Sequence, residues 1–199
     1  MFVIGLTGGI GTGKTEVSNI LRDHGAVIIN ADLVGHDAYK PDTPGWRAVV
    51  EAFGEAILAP TGEVDRKKLG PIVFNDPESM KRLNAIMHPR IFEMIAERIA
   101  KLSGEGSDVV VVEAALLIEA NWTSLADEVW VSTSPQDEVV QRLQNRNMMD
   151  EQAIRARIDA QMPQQERINY ADVVIDNRGS FAELRRQVDN LWDSRVSAR

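Results

Sequence analysis

Gly8-Gly9-Ile10-Gly11-Thr12-Gly13-Lys14-Thr15 limits what this chain can fold into more than any other stretch. The run fits G-x-x-x-x-G-K-[ST], a loop that wraps phosphate. Its glycines let the backbone curl, so that successive N–H groups can face phosphate oxygens. Lys14 supplies a point positive charge for the β- and γ-phosphates. The Thr15 hydroxyl is a ligand for Mg²⁺. A helix beginning near Gly13 adds the positive end of its dipole. The flanks agree with the motif. Phe2-Val3-Ile4-Gly5-Leu6 reads as a buried strand, and Val17, Ile20 and Leu21 share one helical face. The dinucleotide-binding register G-x-G-x-x-G is absent.

Bulk properties narrow the class. A length of 199 residues suits one domain with insertions. Hydrophobic content of 44% and charged content of 26% are those of an ordinary globule. With no cysteine, thiolate metal sites and cysteine nucleophiles are excluded. A net charge of −8 argues against a general nucleic-acid binder, but not against a small phosphorylated substrate, which needs only local Arg and Lys. The first residues lack a basic leader, and no apolar run reaches membrane-spanning length. The expectation is a cytoplasmic protein with no nucleic-acid or membrane partner.

Along the chain, Ala26-Val27-Ile28-Ile29 reads as a second strand ending in Asn30-Ala31-Asp32. Open α/β sheets bind ligands at the carboxyl ends of their strands. Asp32 therefore stands where a catalytic carboxylate would, or where the N-cap of a helix from Leu33 to Tyr39 would. A further helix carries Trp46, Val49, Val50 and Phe53 on its apolar face. Residues 54–75 read as loop-rich. Arg66, Lys67 and Lys68 there are either a solvated face or an attractor of phosphate. Asp76-Pro77-Glu78 starts a helix, and His88-Pro89 is expected to kink or restart it. The two segments would form a lobe, with His88 structural or chemical.

Val109-Val110-Val111-Val112 reads as a central parallel strand. Glu113 at its end is either a carboxylate orienting Mg²⁺ through water or an edge-of-core salt bridge. Glu128-Val129-Trp130-Val131-Ser132 is a fourth strand, and Ser134-Pro135-Gln136-Asp137 is expected to cap the next helix. Arg142 and Arg146 share a face of that helix. Asp150 starts another, carrying Arg155, Arg157 and Gln161. This stretch is either a solvated hairpin or a lid whose arginines close over phosphates and exclude water. Ala171-Asp172-Val173-Val174-Ile175 is a fifth strand, and Ser180-x-x-Glu183 a capping box for the last helix. Five β-runs alternating with helices predict an α/β fold: three layers, α/β/α, around a five-stranded parallel sheet of the P-loop NTPase type. The expected division is a core of residues 1–59, 106–141 and 166–199, a helical lobe at about 60–105, and a lid at about 142–165.

The chain resembles the dephospho-CoA kinase family. The resemblance rests on Leu6 to Thr15, Ala31-Asp32, Leu83-Asn84-Ala85-Ile86-Met87-His88-Pro89, Leu116-Leu117-Ile118-Glu119, Arg142 with Arg146, Gln161, and Ala171 to Gly179. It implies transfer of the ATP γ-phosphoryl group to the ribose 3′-hydroxyl of dephospho-CoA, with Mg²⁺. It also implies residue roles. Asp32, Lys14 and Arg146 would be catalytic. Gly9, Gly11, Thr12, Gly13, Lys14, Thr15, Glu16, Arg142 and Asn177 would bind ATP, with the Asn177 loop beside the adenine. Thr7, Asp32, His88, Pro89, Glu113 and Leu116 would meet the acceptor, and Thr15 with Glu113 the metal. The only partners implied are the two small substrates, and a monomer is favoured. Two positions depart from the family: Asn30, where an acid is frequent, and Ala115, where proline is usual. A kinase for a nucleoside monophosphate or a sugar would share the core and lid. A GTP-binding switch would carry N/T-K-x-D and a transporter ATPase Leu-Ser-Gly-Gly-Gln; neither is present.

Overall fold

The structure, a computed structural model, describes residues 1–148 and 150–198; of Arg146 and Asn147 it describes the backbone only. In chain order the elements are β1 (Phe2–Gly8), α1 (Lys14–Asp23), β2 (Val27–Asn30), α2 (Ala31–Ala38), α3 (Pro44–Phe53), α4 (Arg66–Phe74) and α5 (Pro77–Gly104). There follow β3 (Val109–Glu113), β4 (Glu128–Thr133), α6 (Gln136–Asn147), α7 (Glu151–Asp159), α8 (Gln164–Ile168), β5 (Val173–Asp176) and α9 (Phe181–Arg195). They form two compact units: Met1–Asn30 with the chain from Lys101 onward, and Ala31–Ala100.

The first unit holds a five-stranded parallel sheet in the order β2-β3-β1-β4-β5. The three central strands are buried along their whole length, which their near-continuous apolar runs require. The edge strands β2 and β5 are less fully covered, with Val27 and Val174 exposed. On one face, Ile4, Leu6, Val111, Trp130 and Ile175 meet Val17, Ile20 and Leu21 of α1 and Leu184 and Val188 of α9. Full burial of side chains of this size stabilises by about 1.5–3 kcal/mol each. On the other face the chain crosses β1 so closely that a Cβ at Gly5 would stand 2.9 Å from Leu117. The Trp130 indole N–H donates to the Glu128 carboxylate at 3.0 Å, which satisfies the one polar atom of a fully buried ring. The parallel register brings Leu6 and Asn30 level with Glu113, so the carboxyl ends of β1, β2 and β3 lie side by side.

Helices α6 and α7 share a small core of their own, made by Val139, Val140, Leu143 and Ile154, with Ile10 and Ile158 packed against it. The stretch read as a solvated hairpin or a lid therefore has its own hydrophobic anchor.

The second unit is helical. Thr43 caps α3, its hydroxyl accepting the Trp46 N–H at 3.1 Å, and Pro44 fills the first turn. The Trp46 indole donates to the Gly62 carbonyl at 2.9 Å and pins the loop before α4.

Four local expectations are corrected. Residues 54–75 are not mainly loop, because Asp65 caps α4 by accepting the Lys67 N–H at 2.8 Å. His88-Pro89 does not restart the helix, since α5 runs unbroken from Pro77 to Gly104. The buried stripe Leu83, Met87, Ile91, Ile95 keeps an i, i+4 spacing straight through the proline. Pro89 and Ala85 are both exposed, so the carbonyl that loses its partner faces water. Asp32 is not an N-cap, because α2 begins at Ala31 and Asp32 lies within its first turn. Ser134 does not cap α6: Pro135 holds the cap position, without a side-chain bond.

Candidate active site

The loop of residues 9–13 joins β1 to α1 and is held from several sides. Gly13 is the N-cap of α1, with φ of 95°, a left-handed conformation that disfavours any side chain. A Cβ there would also run into the Asn177 amide nitrogen. That nitrogen donates to the Thr12 carbonyl at 2.9 Å. The Thr12 hydroxyl bonds to the Gly9 carbonyl at 2.9 Å and to the Ser132 hydroxyl at 2.8 Å. The Ile10 N–H donates to Gln161 Oε1 at 2.8 Å, which ties the loop to the chain just after α7. The Lys14 ammonium donates to the carbonyls of Gly8 and Gly9 at 2.9 and 3.0 Å.

A cavity of about 530 Å³ opens over the start of α1. It brings together Gly11, Gly13, Lys14, Thr15, Glu16, Arg142 and Asn177, all expected to bind nucleotide. Phe181, half exposed, stands in its wall. Arg142 is fixed there by three bonds: to the Ser134 hydroxyl at 3.1 Å, to Glu138 at 2.9 Å and to the Asn177 carbonyl at 2.6 Å. Gly9 and Thr12 instead line a second cavity, of about 440 Å³, with Gln161, Gln164 and Arg167.

Glu113 is buried at the end of β3 and accepts two hydroxyls: Thr15 at 3.3 Å and Ser18 at 2.9 Å. The sequence singled out Thr15 and Glu113 but not Ser18, whose place beside Val17 and Leu21 on the inner face of α1 was the available signal. Thr7 is fully buried, its hydroxyl 3.5 Å from the Ala115 carbonyl, whereas Leu116 is half exposed.

The remaining expected residues belong to the other unit, or their side chains are not described. Asp32 is exposed in the first turn of α2. His88 is half-buried within α5, and burial pulls its imidazole pKa below the ordinary value. Pro89 is exposed beside it. Arg66 of the basic cluster donates to His36 Nδ1 at 2.9 Å and lies 5.9 Å from the Tyr39 ring centre. The side chain of Arg146, on the last turn of α6, lies outside the described residues.

Sequence reasoning missed Arg167 altogether. It sits in α8, 2% exposed, and donates to Glu119 at 3.0 Å. Within Gln164-Gln165-Glu166-Arg167 it looks like any surface arginine, and no pattern in the sequence separates it.

The family model for dephospho-CoA kinase matches residues 2–183. A dephospho-CoA kinase of Carboxydothermus hydrogenoformans is 45% identical over 186 residues, covering 94% of this chain and 90% of that protein. One of Geobacter sulfurreducens is 45% identical over 195 residues, covering 98% and 99%. Among solved structures, dephospho-CoA kinase from Campylobacter jejuni superimposes with a TM-score of 0.74 at 27% identity, over 98% of each chain.

Proposed function

The chain belongs to the dephospho-CoA kinase family, and from that premise we propose how its residues divide the work of the family's reaction. The reaction is ATP-dependent phosphorylation of dephospho-CoA to coenzyme A, the last step of CoA biosynthesis. The bond between the γ-phosphorus and the β,γ-bridging oxygen breaks, its electron pair leaving with ADP. A bond forms from the acceptor's 3′-oxygen to the same phosphorus, and that oxygen gives up its proton. Such a transfer asks for alignment and positive charge rather than covalent help.

The observation that carries the assignment is the cavity at the head of α1, where the loop glycines, Lys14, Thr15, Arg142 and Asn177 converge. The loop N–H groups and Lys14 cradle the phosphates. Lys14 already points back along the loop, at hydrogen-bond distance from Gly8 and Gly9. Arg142 supports the nucleotide from α6, and the loop beginning at Asn177 borders its adenine. Arg146 stabilises charge on the moving group.

Thr15 and Glu113 fit Mg²⁺: they offer hard oxygen donors 3.3 Å apart, and Mg²⁺ takes few protein ligands beside phosphates. When bound, the ion neutralises charge building on the β- and γ-oxygens. Glu113 also borders the acceptor, as do Thr7 through the Ala115 carbonyl, and Leu116. Asp32 orients the 3′-hydroxyl and accepts its proton late, because an alcohol is hardly acidic at neutral pH. His88 and Pro89 belong to a helical lobe of about residues 60–105 that selects the CoA-type acceptor. Residues of about 142–165 act as the lid. The enzyme is proposed to work as a cytoplasmic monomer.

The test is ADP release from Mg-ATP with dephospho-CoA, run beside AMP, CMP, shikimate and gluconate. Turnover with dephospho-CoA alone, giving CoA, is expected. Turnover with another acceptor would keep the kinase and discard the acceptor assignment.

A further inference from the structure

Arg167 rests on the kinase reading above and extends it. Taking a guanidinium out of water is costly unless its donors are met. Arginine has five N–H donors. Here Nη2 donates to Glu119 Oε1 at 3.0 Å, while among the described residues Nε has no partner, and neither does Glu119 Oε2. An arginine and a carboxylate in contact often pair through two parallel bonds; this pair makes one. On the other side of the fork lies the phosphate loop. A Cβ built on Gly9 would sit 3.5 Å from Nη1. The Lys14 ammonium is bonded to the carbonyls of Gly8 and of that same Gly9. Arg167 lines the cavity of about 440 Å³ together with Gly9, and Lys14 the cavity of about 530 Å³, so two cations approach one short piece of backbone from two cavities. Their mutual repulsion is relieved by an anion between them.

We propose that Arg167 is a further positive group of the phosphoryl-transfer centre, beside Lys14 and Arg146. It donates to an oxygen of the transferred phosphoryl group from the Gly9 side of the loop, and Glu119 is its positioning residue. Its ligand is a phosphate-borne oxyanion, whose charge spreads over three oxygens in flight. Arg167 gives hydrogen bonds and takes no atom. Gln161, six residues earlier, grips the Ile10 N–H, so one short stretch both steadies the loop and brings the charge to it. The position also limits the size of the residue at Gly9. A Cβ there would already touch Gln161 at 3.4 Å and Arg167 at 3.5 Å, and anything larger would fill the gap in which the oxyanion is held.

The experiment uses full-length Arg167→Ala and Arg167→Lys, with CoA formation, ADP and ATP affinities by calorimetry, and thermal unfolding. Arg167→Ala is expected to lose about 100-fold or more in kcat, the scale of a lost oxyanion donor. Its ADP affinity should stay within about threefold, as for an interaction made mainly in the transition state. Added guanidinium ion should recover part of its turnover and leave the wild type unchanged. Arg167→Lys keeps the charge but loses the fork, and is expected to lose about tenfold in kcat while unfolding at the same temperature. If Arg167→Ala does not fold, Arg167→Lys decides. A kcat within about twofold of wild type in a folded variant overturns the proposal. So does failure of both variants to fold, which would assign Arg167 to the fold alone. A wild-type chain that makes no CoA would instead remove the kinase reading.

Discussion

Gly13 and Asn177 should be energetically coupled, and the structure sets the size of the coupling. Alanine at position 13 meets two penalties. The left-handed φ of 95° costs about 1–2 kcal/mol for a residue with a Cβ. The new methyl also collides with the Asn177 amide nitrogen, which must leave the Thr12 carbonyl. Stranding those buried partners costs about 1–3 kcal/mol. Asn177→Ala alone meets only the second penalty. Once it is made, the nearest atom of residue 177 to the new methyl is its Cβ, at 3.9 Å, an ordinary contact. The double variant therefore meets each penalty once, whereas the two single variants together meet the second one twice. The cycle should fall short of additivity by the hydrogen-bond penalty, about 1–3 kcal/mol. The entropy that alanine removes from the unfolded chain cancels in the cycle. Urea unfolding, followed by circular dichroism and tryptophan fluorescence, measures it. Additivity to within about 0.5 kcal/mol would refute the contact as the link between the Asn177 loop and the phosphate loop.

Other outcomes follow from the proposed roles and from burial. Asp32→Ala should abolish transfer while ATP still binds by calorimetry; an active variant would remove its place at the 3′-hydroxyl. Arg146→Ala should lower kcat more than ATP affinity, and a loss confined to affinity would limit Arg146 to ground-state binding. His88 has its pKa lowered by burial, so the native state resists taking up its proton. Its contribution is present in full above the unfolded value of about 6.5 and is lost as pH falls through the lower native value. Unfolding temperatures taken from pH 7.5 to pH 5 should drop less steeply in His88→Asn than in the wild type, and equal slopes would contradict the burial effect.

What the sequence made legible tracks how locally each feature is determined. The three central strands could be read because β1, β3 and β4 are buried on both faces and so carry near-continuous apolar runs, a pattern that needs no partner to be recognised. The phosphate loop was legible for the same reason: its glycines answer to their own backbone. Helix α4 was hidden because Gly70 and Pro71 lie inside it, both poor helix formers, and its support comes from the Asp65 cap and buried Leu69 and Val73. At His88-Pro89 the buried stripe from Leu83 to Ile95 outweighs one missing hydrogen bond, so the helix continues instead of restarting. Ser18 left only its place on the inner face of α1 as a signal, and Arg167 left none, for a different reason. Their significance lies in Glu113 and Glu119, which are 95 and 48 residues away in the chain.

The strand order has a consequence for the chain as it is made. Among the described residues, β1 pairs with β3 and β4, and β2 with β3 alone. No strand pair of the sheet can close until the ribosome has passed Glu113. At about 5–20 residues per second, β1 waits on the order of 5–20 s as an apolar strand with both edges bare. A nascent chain arrested before Val109 thus holds β1 and β2 with no partner strand, and β1 is the segment a chaperone would have to shield.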